Sequence, residues 1–190
     1  MASYPKIYAH RGVWTTPDEQ NSPESILKAA QLGFGVETDF RAKNGNLAIS
    51  HDPIIGSEAY DFNRFEFSNL PIALNIKEDG LTQQYSNFLK RNPNEDSFIF
   101  DGSIPEMLKM RNAGLPHALR LSEYEKELPW ETKFIWVDAF YEDWWIDSEL
   151  MENLLGKQIP IFVSPELHGR DREASWSYFR KLMHSNQGNF

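Results

Sequence analysis

Short apolar runs bounded by turn residues recur along the whole chain. Each has the length of a strand, and most are rich in β-branched or aromatic side chains, which favour extended structure. The eight runs are Lys6–Ala9, Gly35–Thr38, Leu47–Ser50, Ile72–Ile76, Ser97–Phe100, Ala118–Leu121, Phe134–Val137 and Ile159–Val163. We therefore predict eight strands.

Helical patterns lie between most of these runs. They combine a capping residue with apolar positions three or four residues apart, the spacing of an amphipathic helix. Caps are predicted at Ser22 before Pro23, at Ser103 with Glu106, at Ser122 with Glu125 and at Asp171, and apolar helical faces at Leu81–Leu89 and Leu150–Leu155. The chain thus alternates strands with helices.

This alternation implies right-handed crossovers and a parallel sheet, and eight strands favour closure into a compact (β/α)8 TIM barrel. A helix is missing between strands 2 and 3, because the residues between Asp39 and Leu47 are too few, so we expect a tight turn at Asn44 and Gly45. An open doubly wound sheet is the competing architecture. A chain of 190 residues is expected to form a single domain, residues 1–190.

Composition narrows the range of partners. The net charge of −9 disfavours binding to a nucleic-acid backbone. No apolar run reaches the length of a membrane span, and no secretory leader is recognisable near the amino terminus, so we expect a cytoplasmic protein. There is no cysteine, which excludes disulfides and thiolate metal sites. The oligomeric state is left open.

Polar residues end most of the predicted strands. They are His10, Arg11, Glu37, Asp39, His51, Asp52, Asn75, Lys77, Asp101, Arg120, Asp138 and Glu166. The carboxyl ends of parallel strands meet at one face of a barrel, which is the face that carries active sites. We therefore expect these side chains to gather at one mouth.

The residue types at these positions fit a cation site and acid–base chemistry. Glu37 and Asp39 are two apart, so on a strand they point to the same side and suit Mg²⁺ or Ca²⁺. His10 and His51 have the side chain best suited to proton transfer near neutral pH. Each feature alone also has an ordinary structural interpretation, a solvated acidic pair or a hydrogen-bonded histidine, and only their combination favours a site.

Five segments resemble the glycerophosphodiester phosphodiesterase family, metal-dependent TIM-barrel relatives of phosphatidylinositol-specific phospholipase C. The segments are AHRG (Ala9–Gly12), QNSPESILKAAQLGF (Gln20–Phe34), VETDFR (Val36–Arg41), NGNLAISHD (Asn44–Asp52) and ALNIK (Ala73–Lys77). They occur in the order of the family over the first 77 residues. The second half of the chain matches only loosely, best at FDGSIPEML (Phe100–Leu108).

The resemblance implies a hydrolase with a divalent cation, Mg²⁺ or Ca²⁺, that acts on a small glycerol- or sugar-linked phosphodiester in lipid metabolism. It implies that His10 and His51 are the catalytic acid–base pair and that Arg11 and Lys77 bind the phosphate. Glu37 and Asp39 fall on two metal ligands. The third ligand, an acid in the family, falls on Asn75, and a further family glutamate falls on Gln20.

Two further residues are candidates for substrate contact, and two functional alternatives stay open. Trp14 can stack on a substrate group, although packing is its more common role, and Arg170 lies in the last predicted loop after a strand, where barrels often bind phosphate. One alternative is a catalytically degenerate module that binds phosphate or glycan. The other is an enzyme that works without metal and uses Arg41 or Arg11 as the electrophile.

Overall fold

The computed structural model of the chain describes residues 6–55, 59–61, 69–146 and 157–186. Its strands are β1 (Tyr8–His10), β2 (Gly35–Lys43), β3 (Asn46–Ile49), β4 (Tyr60–Asp61), β5 (Ile72–Ile76), β6 (Phe98–Phe100), β7 (Ala118–Leu121), β8 (Phe134–Val137) and β9 (Ile159–Phe162). Its α-helices are α1 (Pro23–Gln31), α2 (Thr82–Arg91), α3 (Ile104–Asn112) and α4 (Glu173–Asn186), and short 3₁₀ helices occur at Pro17–Glu19 and Pro165–His168. The fold is of the mixed α/β class.

The first compact unit, Lys6–His117, is built on one mixed sheet. Its strand order is β4-β3-β2-β5-β6, and β1 also pairs with β2. Strands β1, β2, β5 and β6 run parallel, whereas β2, β3 and β4 are joined antiparallel. All five residues of β5 are buried, as expected for a central parallel strand covered on both sides.

The turn between β2 and β3 has the conformation that its sequence predicts. Asn44 and Gly45 have φ angles of 52° and 76°, and β2 pairs antiparallel with β3 on either side of them. Positive φ at both central residues defines the hairpin turn that asparagine and glycine favour. The prediction that no helix separates these two strands is confirmed.

The second compact unit begins at Ala118 and contains a three-stranded parallel sheet of order β7-β8-β9. Its core is apolar and centred on Trp145, which is 1% exposed. The Trp145 ring stacks on Phe179 of α4 with a centroid distance of 5.2 Å and also contacts Phe162 of β9. This aromatic packing fixes α4 against the small sheet.

The prediction of a closed (β/α)8 barrel is wrong. Within the described ranges, the strands hydrogen-bond as two separate sheets, and an isolated bridge between Ile99 and His117 is the only pairing beyond them. In that bridge Ile99 donates to the carbonyl of Pro116, but proline has no N–H with which to extend the ladder. The contacts also divide the chain into two compact units, so the single-domain expectation stays a prediction.

Three of the predicted helix starts are confirmed and one is wrong. The Ser22 and Ser103 side chains each accept a hydrogen bond from the backbone N–H three residues on, and Asp171 accepts one from the Glu173 N–H. After Ser122 no helix forms, although its hydroxyl accepts hydrogen bonds from two backbone N–H groups. The Ser122 N–H donates to the backbone carbonyl of Glu125, which closes a turn, and the Glu125 side chain binds Arg120 of β7 and the Ser122 hydroxyl. The predicted helix at Leu150–Leu155 lies outside the described residues.

In the part of the chain that the structure describes, no helix is long and apolar enough to cross a membrane.

Two glycines with positive φ allow a matched test of the turn that follows β1. Gly12 has φ +86°, and a Cβ there would lie 2.6 Å from the backbone carbonyl carbon of Ser25. Gly45 has φ +76°, but a Cβ there meets no atom within 4 Å. We expect Gly45→Ala to lower the free energy of unfolding by about 1 kcal/mol through backbone strain alone. Gly12→Ala adds overpacking and should cost about 3 kcal/mol, measured by urea denaturation. Equal losses in the two variants would contradict the packing assigned to Gly12.

Candidate functional site

Strand register brings five of the predicted site residues to one end of the first sheet. His10, the last residue of β1, pairs with Glu37 on β2, and Asp39 pairs with Asn75 on β5. Lys77 follows β5 directly. His10 ends β1 and Lys77 follows β5, whereas Glu37 and Asp39 lie in the part of β2 that pairs with these strands, so residues far apart in sequence become neighbours.

Asp39 is the most heavily bonded group of this cluster. Its side chain is 1% exposed. One carboxylate oxygen accepts a hydrogen bond of 2.8 Å from Asn21 and lies 3.0 Å from Arg11 Nε. The other lies 3.2 Å from Lys77 Nζ. A buried carboxylate requires such compensation, and here two cations and an amide supply it.

Glu37 has fewer and weaker partners. Its Oε1 accepts a hydrogen bond of 3.0 Å from the Asn75 amide, and its Oε2 accepts one of 3.3 Å from the backbone N–H of Arg11. The nearest imidazole nitrogen, His10 Nε2, is 3.9 Å from Oε2. Burial, followed by the negative charge of Asp39, raises the pKa of Glu37 well above its usual range.

The loop after β1 holds Arg11 in an unusual backbone conformation. Arg11 has φ 56° and Asn21 has φ 60°, and the two are joined by a hydrogen bond from Asn21 N–H to the Arg11 carbonyl. The Ser25 hydroxyl donates to the same carbonyl, and Gln20 accepts from Arg11 Nη1 at 2.8 Å. Such strain persists only where surrounding bonds enforce it, and it often marks functional sites.

His10 is held in its neutral form. Burial, the charges of Arg11 and Lys77, and a smaller contribution from His51 lower the pKa of His10 to about 4, although Asp39 opposes them. An imidazole with this pKa carries no charge at neutral pH and can accept a proton.

His51 lies on a cleft beside this cluster. Its Nδ1 is 2.8 Å from Asp52 Oδ1, and Arg41 Nε donates to its backbone carbonyl at 3.0 Å. The cleft has a volume of about 320 Å³, and its lining includes Arg11, Gln20 and His51. Its size suits a small ligand. Arg41 therefore positions the His51 backbone, and Arg11 borders the cleft.

The donor set fits a divalent cation. Asn75 Oδ1 is a buried oxygen with no hydrogen-bond partner among the described residues, and Asp39 Oδ1 makes none of good geometry despite the nearby Lys77. With Glu37 these groups offer hard oxygen ligands of the kind that Mg²⁺ and Ca²⁺ prefer. The described residues contain no cluster of three or more His, Asp or Glu that would hold a metal, and the amide of Asn75 is outside those residue types.

The late candidates lie in the second unit and are bonded there. Arg170 donates to the Ala139 carbonyl at 2.7 Å and to Asp143 at 2.8 Å. The ring of His168 binds Asp138 at 2.6 Å. Contact of Arg170 with substrate stays a prediction. In the first unit Trp14, 37% exposed, donates to the His10 carbonyl, and its substrate role also stays a prediction.

Asn21 is a site residue that the sequence analysis missed. Its amide donates to Asp39, while its carbonyl oxygen accepts from the Thr38 hydroxyl at 2.7 Å. It therefore orients the buried carboxylate from the neighbouring loop. The position of Asn21 directly before the helix cap Ser22 could have indicated a structural role, because asparagine tolerates the positive φ that a tight loop needs before a helix.

Comparison with protein-family models, with curated proteins and with solved structures finds no match to this chain.

Replacing Asn75 with aspartate tests the cation site. Asn75→Asp adds the charge that the family pattern carries, so we expect Ca²⁺ or Mg²⁺ to bind about tenfold more tightly, since affinity rises with ligand charge. Without cation the variant should be less stable than the wild type, because the amide donor to Glu37 is lost. Asn87→Asp, which adds the same charge on an exposed position of α2, is the control. Isothermal titration calorimetry and the melting temperature with and without cation measure both effects. Equal cation responses in the two variants would contradict the assignment.

The low pKa of His10 predicts a stability change in mild acid. The unfolded chain takes up this proton near pH 6.5, whereas the folded protein takes it up near pH 4. Stability from neutral His10 is therefore present above the unfolded pKa and is lost as pH falls through this window. We expect the loss to be smaller in His10→Gln, measured by urea denaturation at pH 7 and pH 5. A His10 imidazole that titrates near pH 6.5 in a nuclear magnetic resonance experiment would refute this.

Proposed function

We propose that this chain is a phosphodiester hydrolase that acts on a small glycerol- or sugar-linked diester. The observation that carries the proposal is the meeting of His10, Arg11 and Lys77 with two buried carboxylates at one sheet end, next to a cleft bordered by His51. The resemblance of the first 77 residues to the glycerophosphodiester phosphodiesterase family supports the same activity. We also propose that the protein is cytoplasmic.

Charge compensation is the first requirement of the reaction. A phosphodiester is an anion, and negative charge builds on its nonbridging oxygens in the transition state. Arg11 and Lys77 provide fixed positive charge, and Asp39 holds both in place. A divalent cation held by Glu37, Asp39 and Asn75 would supply Lewis-acid stabilisation of the same oxygens.

The two histidines divide the proton transfers. Neutral His10 takes the proton of a neighbouring substrate hydroxyl as its oxygen attacks phosphorus, and His51 gives a proton to the alkoxide that leaves. The products of this step are an alcohol and a cyclic phosphodiester. Water then opens the ring, His51 takes a proton from the water, and His10 returns its proton to the released ring oxygen. Protons and charge balance over the two steps.

Replacement of either histidine tests the proposed chemistry. We expect His10→Ala and His51→Ala each to lower kcat by about 10²–10⁴, the usual contribution of an acid or base, with the fold retained. His117→Ala removes an imidazole of the same unit that does not line the cleft and whose Nδ1 is 2.9 Å from the Leu115 carbonyl, and it serves as the control. Hydrolysis of glycerophosphodiesters is followed by phosphorus-31 resonance, and folding by circular dichroism.

The same assay in the presence of chelator separates the alternatives. Turnover that depends on added Mg²⁺ or Ca²⁺ supports the cation-assisted enzyme. Turnover that persists in the presence of chelator favours Arg11 as the electrophile. The observation that supports this alternative is the pairing of Arg11 with the buried carboxylate of Asp39. Phosphate binding without turnover of any diester would assign the chain to the degenerate binding module and overturn the proposed hydrolase.

A further inference from the structure

The cleft beside the cluster is lined by both polar and apolar residues. Arg11, Gln20 and His51 are among the polar ones. The apolar lining residues are Ile49, Pro53, Ile54, Ile55, Ala59 and Tyr60. A small cleft that combines charged and apolar residues is typical of a site that binds an amphipathic ligand.

Two large apolar side chains of this cleft are open to solvent. Ile55 is 85% exposed and Tyr60 is 42% exposed, whereas Ile49 is buried. Exposed apolar side chains that stand singly are common and need no explanation. Ile55 and Tyr60 instead line the same cleft, and apolar residues that line a cleft form a surface suited to a ligand.

The loop that carries this surface is attached to the catalytic residues. The Ser50 hydroxyl donates to the Asp52 carbonyl, and the Asp52 carboxylate binds the His51 ring. The backbone of Ser50 in turn donates to the Asp39 carbonyl. Ile54 and Ile55 follow His51 within four residues and line the same cleft as His51 and Arg11, so one ligand can contact all four residues.

From this arrangement we propose that one of the two alcohols of the substrate carries an apolar portion, a short alkyl chain or an aromatic ring, which packs on Ile54, Ile55 and Tyr60 while the phosphate lies at Arg11 and His51. This inference rests on the proposed hydrolase and narrows its substrate class. Under this inference, diesters in which both alcohols are fully hydroxylated are not preferred substrates.

A substrate group explains this surface better than a lipid bilayer does. The apolar residues line a cleft that is also lined by Arg11 and His51, so one ligand can contact both the apolar and the charged residues. A bilayer contacts protruding surfaces, and the net charge of −9 opposes approach to anionic membranes. The cleft volume of about 320 Å³ also suits one small molecule.

A pair of substrates that differ in one alcohol tests the inference. Both are glycerol phosphodiesters, one of 1-hexanol and one of a second glycerol, so the attacking hydroxyl is the same. We expect the hexyl diester to have a kcat/KM about tenfold higher, as the burial of about two methylene groups predicts. Ile55→Ser should reduce this ratio about fivefold. Leu27→Ser, at an exposed apolar position on α1 outside the cleft, should leave it unchanged.

The outcomes distinguish failure of the proposed hydrolase from failure of the apolar subsite alone. Hydrolysis of neither diester overturns the proposed hydrolase and this inference with it. Hydrolysis of both with equal kcat/KM, or a ratio that Ile55→Ser does not change, overturns the apolar subsite alone. Sedimentation of the wild type, but not of Ile55→Ser, with phosphatidylcholine vesicles would assign the surface to a lipid bilayer and overturn the subsite as well.

Discussion

The buried carboxylate of Asp39 is the interaction on which the rest of the site depends. It is almost completely shielded from water, and a charge in that setting is tolerated only with strong partners. Arg11 arrives from the loop after β1, Lys77 from the end of β5 and Asn21 from the loop before α1. One side chain thus links three segments of the first unit, and the strained φ of Arg11 follows from this attachment.

Glu37 stands in contrast to its neighbour two residues away on the same strand. It shares the burial of Asp39 but not its cations, so the charges of the two acids oppose each other and the pKa of Glu37 rises. The orphaned oxygen of Asn75 lies on the adjacent strand. Such an arrangement is unfavourable for a protein alone, and a bound cation would relieve it.

Three parallel strands of one open sheet are enough to assemble these groups. The three parallel strands β1, β2 and β5 bring His10, Glu37, Asp39 and Asn75 together. The antiparallel excursion through β3 and β4 replaces a helix and adds His51 and the apolar wall of the cleft. The second unit has its own sheet and its own aromatic core around Trp145.

Local chemistry in the sequence predicts most of the elements. Strand positions, the Asn44–Gly45 turn and the Ser22 and Ser103 caps all follow from residues close together in the chain. The capping box at Ser122 misled, because the Ser122 N–H donates to the Glu125 carbonyl and closes a turn that no helix continues. A capping pattern is read within four residues, and it does not show whether a helix follows.

The sequence by itself determined where most strands lie and that Glu37 and Asp39 share a side, since alternation along a strand is a local property. Only the tertiary structure decided that the strands form two sheets, that Asn21 supports Asp39, and that Ile55 and Tyr60 border the same cleft as Arg11. The physical reason is that strand pairing, burial and charge compensation depend on residues far apart in the chain, and their partners are chosen by packing and not by spacing.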